Sequence, residues 1–91
     1  MHQQKEFVLS KQVLRSGTSI GANIREAQYA QSRKDFISKC SIALKEANET
    51  EYWLLLLKES EIADPEPTNI LLQQNIEIIK LLTSIVKKSK Q

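Results

Sequence analysis

Apolar and small residues recur along the first third of the chain in steps of three and four. Leu9, Val13, Gly17, Ile20, Ile24 and Ala27 fall 4, 4, 3, 4 and 3 residues apart. That spacing is a stripe on one face of a helix and not the alternation of a strand. It predicts a first helix from about Lys5 to about Tyr29. Gly17 and Gly21 sit four apart on one side of it, among Ser16, Thr18, Ser19 and Ala22. Each glycine costs a helix up to ~1 kcal/mol relative to alanine. Either a neighbouring helix approaches closely there, as in small-xxx-small contacts, or the pair is a tolerated weak point. We expect close packing, because the whole stretch is kept small.

Phe36, Cys40, Ala43, Ala47, Thr50, Leu54 and Leu57 step by 4, 3, 4, 3, 4 and 3, an uninterrupted heptad-like seam. The second helix is predicted from Arg33 to about Glu61. Ser32, followed three residues later by Asp35, supplies a capping-box start. Asp64, Pro65, Glu66 and Pro67 then break the pattern. A third helix follows, capped either by Asp64 with Pro65 in its first turn or by Thr68 with Asn69 leading, and placed at about 69–88. Its stripe is Leu72, Ile76, Ile79, Thr83 and Val86, widened by Leu71, Ile78, Leu82 and Ile85.

Short connections make the three helices antiparallel neighbours in one domain, an all-α up-down bundle. Trp53 to Leu57 cover five successive 100° steps, so helix two is apolar nearly all round, and such a helix is buried all round. Two neighbours cannot cover it. The missing surface belongs to another copy, a different protein or a further helix; for another copy, Gly17, Gly21, Trp53, Leu55 and Leu56 are the expected oligomer interface.

Composition narrows the class. The 91 residues are 41% hydrophobic and 26% charged, with two Gly and two Pro. This is ordinary globular usage with few turns. The longest apolar run, Trp53 to Leu57, is far short of the ~20 residues of a membrane span. No secretory leader is apparent, and the single cysteine, Cys40, has no intramolecular partner. We expect a soluble, cytoplasmic chain in which Cys40 is a buried small hydrophobe.

Charge runs basic, acidic, basic along the chain. Residues 1–45 carry eight basic and three acidic side chains, residues 46–79 one and eight, residues 80–91 four and none. In the bundle one end should gather Arg25, Arg33, Lys34, Lys39, Lys87, Lys88 and Lys90, opposed only by Glu26 and Asp35. The other end should gather Glu59, Glu61, Asp64 and Glu66. A basic end holds phosphate backbones without reading sequence. Alternatively the cations simply suit helix C-termini. Asn23, beside the stripe, is expected to hydrogen-bond Glu46 or Glu49, and Lys45 is spaced to pair with Glu49. There is no phosphate loop, no metal-ligand spacing and no nucleophile elbow. No catalytic residue, cofactor or metal is predicted.

The run Lys11 to Ala27, KQVLRSGTSIGANIREA, closely resembles the signature of the bacterial four helix bundle protein family, also called the 23S rRNA intervening-sequence protein family. Ser32 to Glu49, with Phe36, Ile42, Ala43, Glu46 and Glu49, resembles its second signature. The resemblance covers roughly Glu6 to Lys88. It implies a further helix before the segment that begins here at Phe7, for which this chain has only Met1 to Glu6. It also implies a homo-oligomer, typically a ring of five. Accessory proteins of retroelements, which associate with a reverse transcriptase and nucleic acid, are similar.

Two functions are therefore expected in competition. One is a non-enzymatic oligomeric scaffold that binds RNA, DNA or a nucleic-acid enzyme through its basic end. The other is a structural module that docks a partner helix through helix two.

Overall fold

The structure is a computed structural model and describes residues 2–61 and 63–89. It contains three helices, α1 (His2–Gln28), α2 (Arg33–Ser60) and α3 (Pro65–Ser89), and no strand among the described residues. Cross-helix pairs run in opposite directions along each partner. Ser16 meets Thr50 while Glu26 meets Lys39, so α1 and α2 are antiparallel. Asn75 meets Ala47 while Arg33 meets Ser89, so α2 and α3 are antiparallel as well. The result is a rod of 47 × 18 × 15 Å. Its radius of gyration is 14.6 Å, against about 12 Å for a compact chain of this length.

The centre of this rod is α2. Both α1 and α3 pack on it, but no Cα of α1 comes within 8 Å of a Cα of α3. Ala43 and Ala47 are fully buried, and their small side chains let both neighbours close on α2 at mid-length. Two apolar clusters fill the seams. One joins Ala27, Cys40, Ala43, Leu82 and Val86; the other joins Leu54, Leu57 and Leu72, with Leu9 and Val13 against it. The seam of α2 read from the sequence is buried from Cys40 through Leu57, with Phe36 half-buried.

Local chemistry explains the ends. Ser32 is the N-cap of α2, and its Oγ accepts from the Asp35 N–H at 3.0 Å. Glu61 closes α2 at φ 59°, ψ 20°, the left-handed conformation that ends helices. Asp64 Oδ1 accepts from the Glu66 N–H at 3.1 Å, with Pro65 as the first residue of α3. The third helix therefore starts at 65 and not at 69, because Asp64 supplies the cap. Thr68 is buried one turn inside, donating to the Asp64 carbonyl at 3.0 Å.

The buried seam of α3 also differs from the stripe expected. Thr83 is exposed, while Thr68, Leu72, Asn75, Leu82 and Val86 are buried. The polar Thr68 and Asn75 disguise the true phase. Asn75 is tolerated inside because its Nδ2 donates to the Ala47 carbonyl at 2.9 Å.

Candidate functional site

Three helix ends converge at one end of the rod. The C-terminus of α1 brings Arg25, the N-terminus of α2 brings Arg33, Lys34 and Lys39, and the last turn of α3 brings Lys87 and Lys88. All are exposed except Lys39, which is half-buried with its Nζ 3.2 Å from Glu26 Oε2. The Arg33 guanidinium donates to the Ser89 carbonyl at 3.4 Å, tying the start of α2 to the end of α3. Lys90 lies outside the described residues. A shallow hollow at this end is lined by Arg25, Tyr29, Gln31 and Lys39, with Glu26 and Asp35 beside them. Tyr29 is 75% exposed, an unused aromatic face next to cations. Glu59, Glu61, Asp64 and Glu66 are exposed toward the opposite end, around the α2–α3 turn.

A second feature was not expected as such. Between α1 and α3 runs an apolar groove with α2 as its floor. Val13, Gly17, Leu54 and Leu71 line both of its sections, of about 670 and 290 Å³. The larger section opens toward Glu6 and Asp64; the smaller extends past Gly21 to Gln74 and Ile78. The expected close approach at the glycines is not made within the chain. A Cβ on either Gly17 or Gly21 would meet nothing within 4 Å. Of the other residues expected at an oligomer interface, Trp53 and Leu56 are half-buried and Leu55 is 41% exposed. All three lie outside the groove. The five residues thus divide between two surfaces.

The polar contacts between α1 and α2 also correct the expected pairing. The Asn23 amide turns back along its own helix, donating to the Ser19 carbonyl at 2.9 Å, and does not reach Glu46 or Glu49. Arg15 takes that place, with its guanidinium pairing with both carboxylates. Glu49 is held by Arg15 and by the Trp53 indole N–H at 3.3 Å, not by Lys45. The reason is reach: a guanidinium spans the helix gap and a short amide does not. Beneath this cluster the Thr50 hydroxyl lies 2.7 Å from Ser16 Oγ, and Ser16 is fully buried. Hydroxyls read from the sequence only as small residues are here an inter-helix contact. Burial pushes the Cys40 thiol above its ordinary value of 9.0, and the side chain is 3% exposed.

Among the described residues no group of three or more His, Cys, Asp or Glu side chains could hold a metal. No helix is long and apolar enough to cross a membrane. The fold and its surfaces define an all-α antiparallel bundle with one basic end and one open apolar face.

Comparison with known proteins gives the family. Residues 1–84 match the family described as 23S rRNA-intervening sequence protein, and the chain belongs to it. It is also similar to a solved protein of unknown function from the S23 ribosomal protein family of Bacteroides thetaiotaomicron VPI-5482. The two are 65% identical, with a TM-score of 0.84, over 92% of this chain and 78% of that one. No curated protein matches.

Proposed function

We propose that this chain is a non-catalytic, oligomeric bundle protein that holds nucleic-acid backbone at its basic end. The observation that carries the reading is the convergence of Arg25, Arg33, Lys34, Lys39, Lys87 and Lys88 where three helix ends meet. Exposed cations gathered on one face release counterions from a polyphosphate and gain affinity without reading bases. Tyr29, in the hollow beside Arg25, offers one stacking surface for an unpaired base. The pull is moderated by Glu26, which neutralises Lys39. A cytoplasmic setting, and association with a nucleic-acid enzyme such as a reverse transcriptase, belong to this reading.

Fluorescence anisotropy with labelled single-stranded RNA and duplex DNA tests it. Binding is expected in the ~10⁻⁶–10⁻⁴ M range of non-specific contacts, weakening steeply between about 50 and 200 mM salt. Neutralising Arg33, Lys34, Lys87 and Lys88 together to Gln should abolish it while leaving the helical circular dichroism unchanged. Binding that persists in the quadruple variant, or that ignores salt, sinks the proposal.

A second reading is favoured by the face of α2 on which Leu55 stands 41% exposed beside the half-buried Leu56. It makes the chain a protein-interaction module with no nucleic-acid role. Association that survives high salt but is lost on making Leu55 or Leu56 polar would place the partner on α2.

A further inference from the structure

The hollow at the α1–α2 turn differs in chemistry from the cations around it. The Tyr29 and Ala30 N–H groups donate to the Glu26 and Ala27 carbonyls at 3.2 and 3.1 Å, which fixes the backbone that carries Tyr29. Across the turn, the Ser32 cap on the Asp35 N–H fixes the start of α2. Between them lies a space of about 560 Å³ lined by Arg25, Glu26, Tyr29, Gln31, Asp35 and Lys39. Sites for small ligands commonly span about 300–1,000 Å³.

The charges of this hollow cancel. Arg25 and Lys39 stand against Glu26 and Asp35, and Lys39 is already paired with Glu26 at 3.2 Å. A phosphate gains little in a balanced hollow, whereas a neutral polar ring meets no net repulsion. Among the described residues, the Arg25 guanidinium and the Asp35 carboxylate take part in no ion pair and no side-chain hydrogen bond. A donor fork and an acceptor pair are thus left over in the same hollow as the exposed Tyr29 ring. Guanine matches that set. Its O6 and N7 accept from an arginine fork, and its N1–H and N2 amine present two donors to a carboxylate. Adenine and cytosine offer a carboxylate one amino group, and uracil only its N3–H. Stacking on the phenol ring adds the third contact.

We propose that the hollow binds one guanine base of a single-stranded nucleic acid. The base stacks on Tyr29, the Asp35 carboxylate accepts from its Watson–Crick edge, and the Arg25 guanidinium donates to O6 or N7. This rests on the reading of the basic end as a surface for nucleic-acid backbone, and it adds one point of sequence readout to it. Arg33 and Lys34, exposed and lying in the chain between Gln31 and Asp35, hold flanking phosphates together with Lys87 and Lys88. A paired guanine does not enter, because its Watson–Crick edge and stacking faces are occupied in the duplex. The site therefore selects unpaired strands.

Fluorescence anisotropy of the whole chain tests this with labelled oligouridylate of about 12 nucleotides, within the usual footprint of single-strand binders. The same strand is also made with one central guanine, adenine or inosine, and a duplex serves as control. The guanine strand is expected to bind about tenfold tighter than the adenine strand or the plain one, with inosine, which lacks the N2 amine, between them. Asp35→Asn should erase that preference without weakening the plain strand. Tyr29→Ala should weaken the guanine strand about tenfold and leave the duplex unchanged, while Tyr29→Phe keeps the preference. Circular dichroism checks that each variant is folded. Free guanosine monophosphate should bind at least about tenfold more weakly than the guanine strand, because it reaches fewer cations. Salt-sensitive binding equal for all strands overturns the inference and leaves the proposed function standing. So does an Asp35→Asn effect that is the same on every strand, or single-strand binding indifferent to Tyr29→Ala. A mononucleotide that binds as tightly as the strand overturns the assignment to a single strand, and a chain that binds neither strands nor duplex removes both readings.

Discussion

Arg15 shows how one side chain can organise a helix seam. Its guanidinium sits against Glu46, whose side chain is only 16% exposed, and against Glu49. Glu46 Oε2 has no hydrogen-bond partner and relies on the guanidinium 3.7 Å away. Arg15→Met should destabilise the protein by about 1 kcal/mol, discounted because the guanidinium is half exposed. A denaturant titration reads it. Asn75→Ala removes the hydrogen bond to the Ala47 carbonyl, and a loss of about 1 kcal/mol is expected by the same measurement. Cys40 gives the pH dependence. Its folded value is raised because burial disfavours the thiolate. The contribution is therefore fully present below the unfolded value, and it fades as pH rises through that value toward the folded one. Between about pH 8 and 10 the natural chain should lose more stability than Cys40→Ala, and native Cys40 should resist thiol reagents until the chain is denatured.

At the scale of the element, the caps and phases set where each helix begins and which face it buries. Ser32→Ala leaves the Asp35 N–H without its acceptor, and a cost of about 1 kcal/mol is expected in thermal unfolding. Glu61 holds φ 59° with a side chain that disfavours it. Glu61→Gly should raise the melting temperature, with a gain of up to about 1 kcal/mol. The seam of α2 was legible because its buried positions are apolar or small without interruption from Cys40 to Leu57. The phase of α3 was not, because Thr68 and Asn75 are buried on its inner face while Ile70, Leu71 and Leu81 stand exposed. Apolar side chains then mark two faces at once, and period alone does not say which one meets α2.

For the whole molecule, stability rests on a thin core. Two helices packed on a single central one leave few fully enclosed large side chains, and Leu54, 1% exposed, is the largest. Leu54→Ala should cost about 3 kcal/mol, a large share of the total for a domain this small. The same thinness leaves the groove between α1 and α3. Larger residues at Gly17 or Gly21 are expected to leave the folding of one chain intact by circular dichroism, because an added Cβ at either position meets nothing within 4 Å.

The periodicity of apolar residues, the capping residue Ser32 and the proline pair determined three antiparallel helices. The order of charges along the chain then set Arg25, Arg33, Lys34, Lys87 and Lys88 toward one end and Glu59, Glu61, Asp64 and Glu66 toward the other once the helices were antiparallel, with Lys5 and Lys11 left at the acidic end. Tertiary structure decided what depends on distance between elements. It set Arg15 and not Asn23 against Glu46 and Glu49, buried Asn75 on a backbone carbonyl, and kept α1 and α3 apart. A stripe records that a face is apolar, but the partner that covers it is chosen by reach and packing between helices distant in the chain. That is why Gly17 and Gly21 could be singled out from spacing, while only the fold shows that they face an open groove.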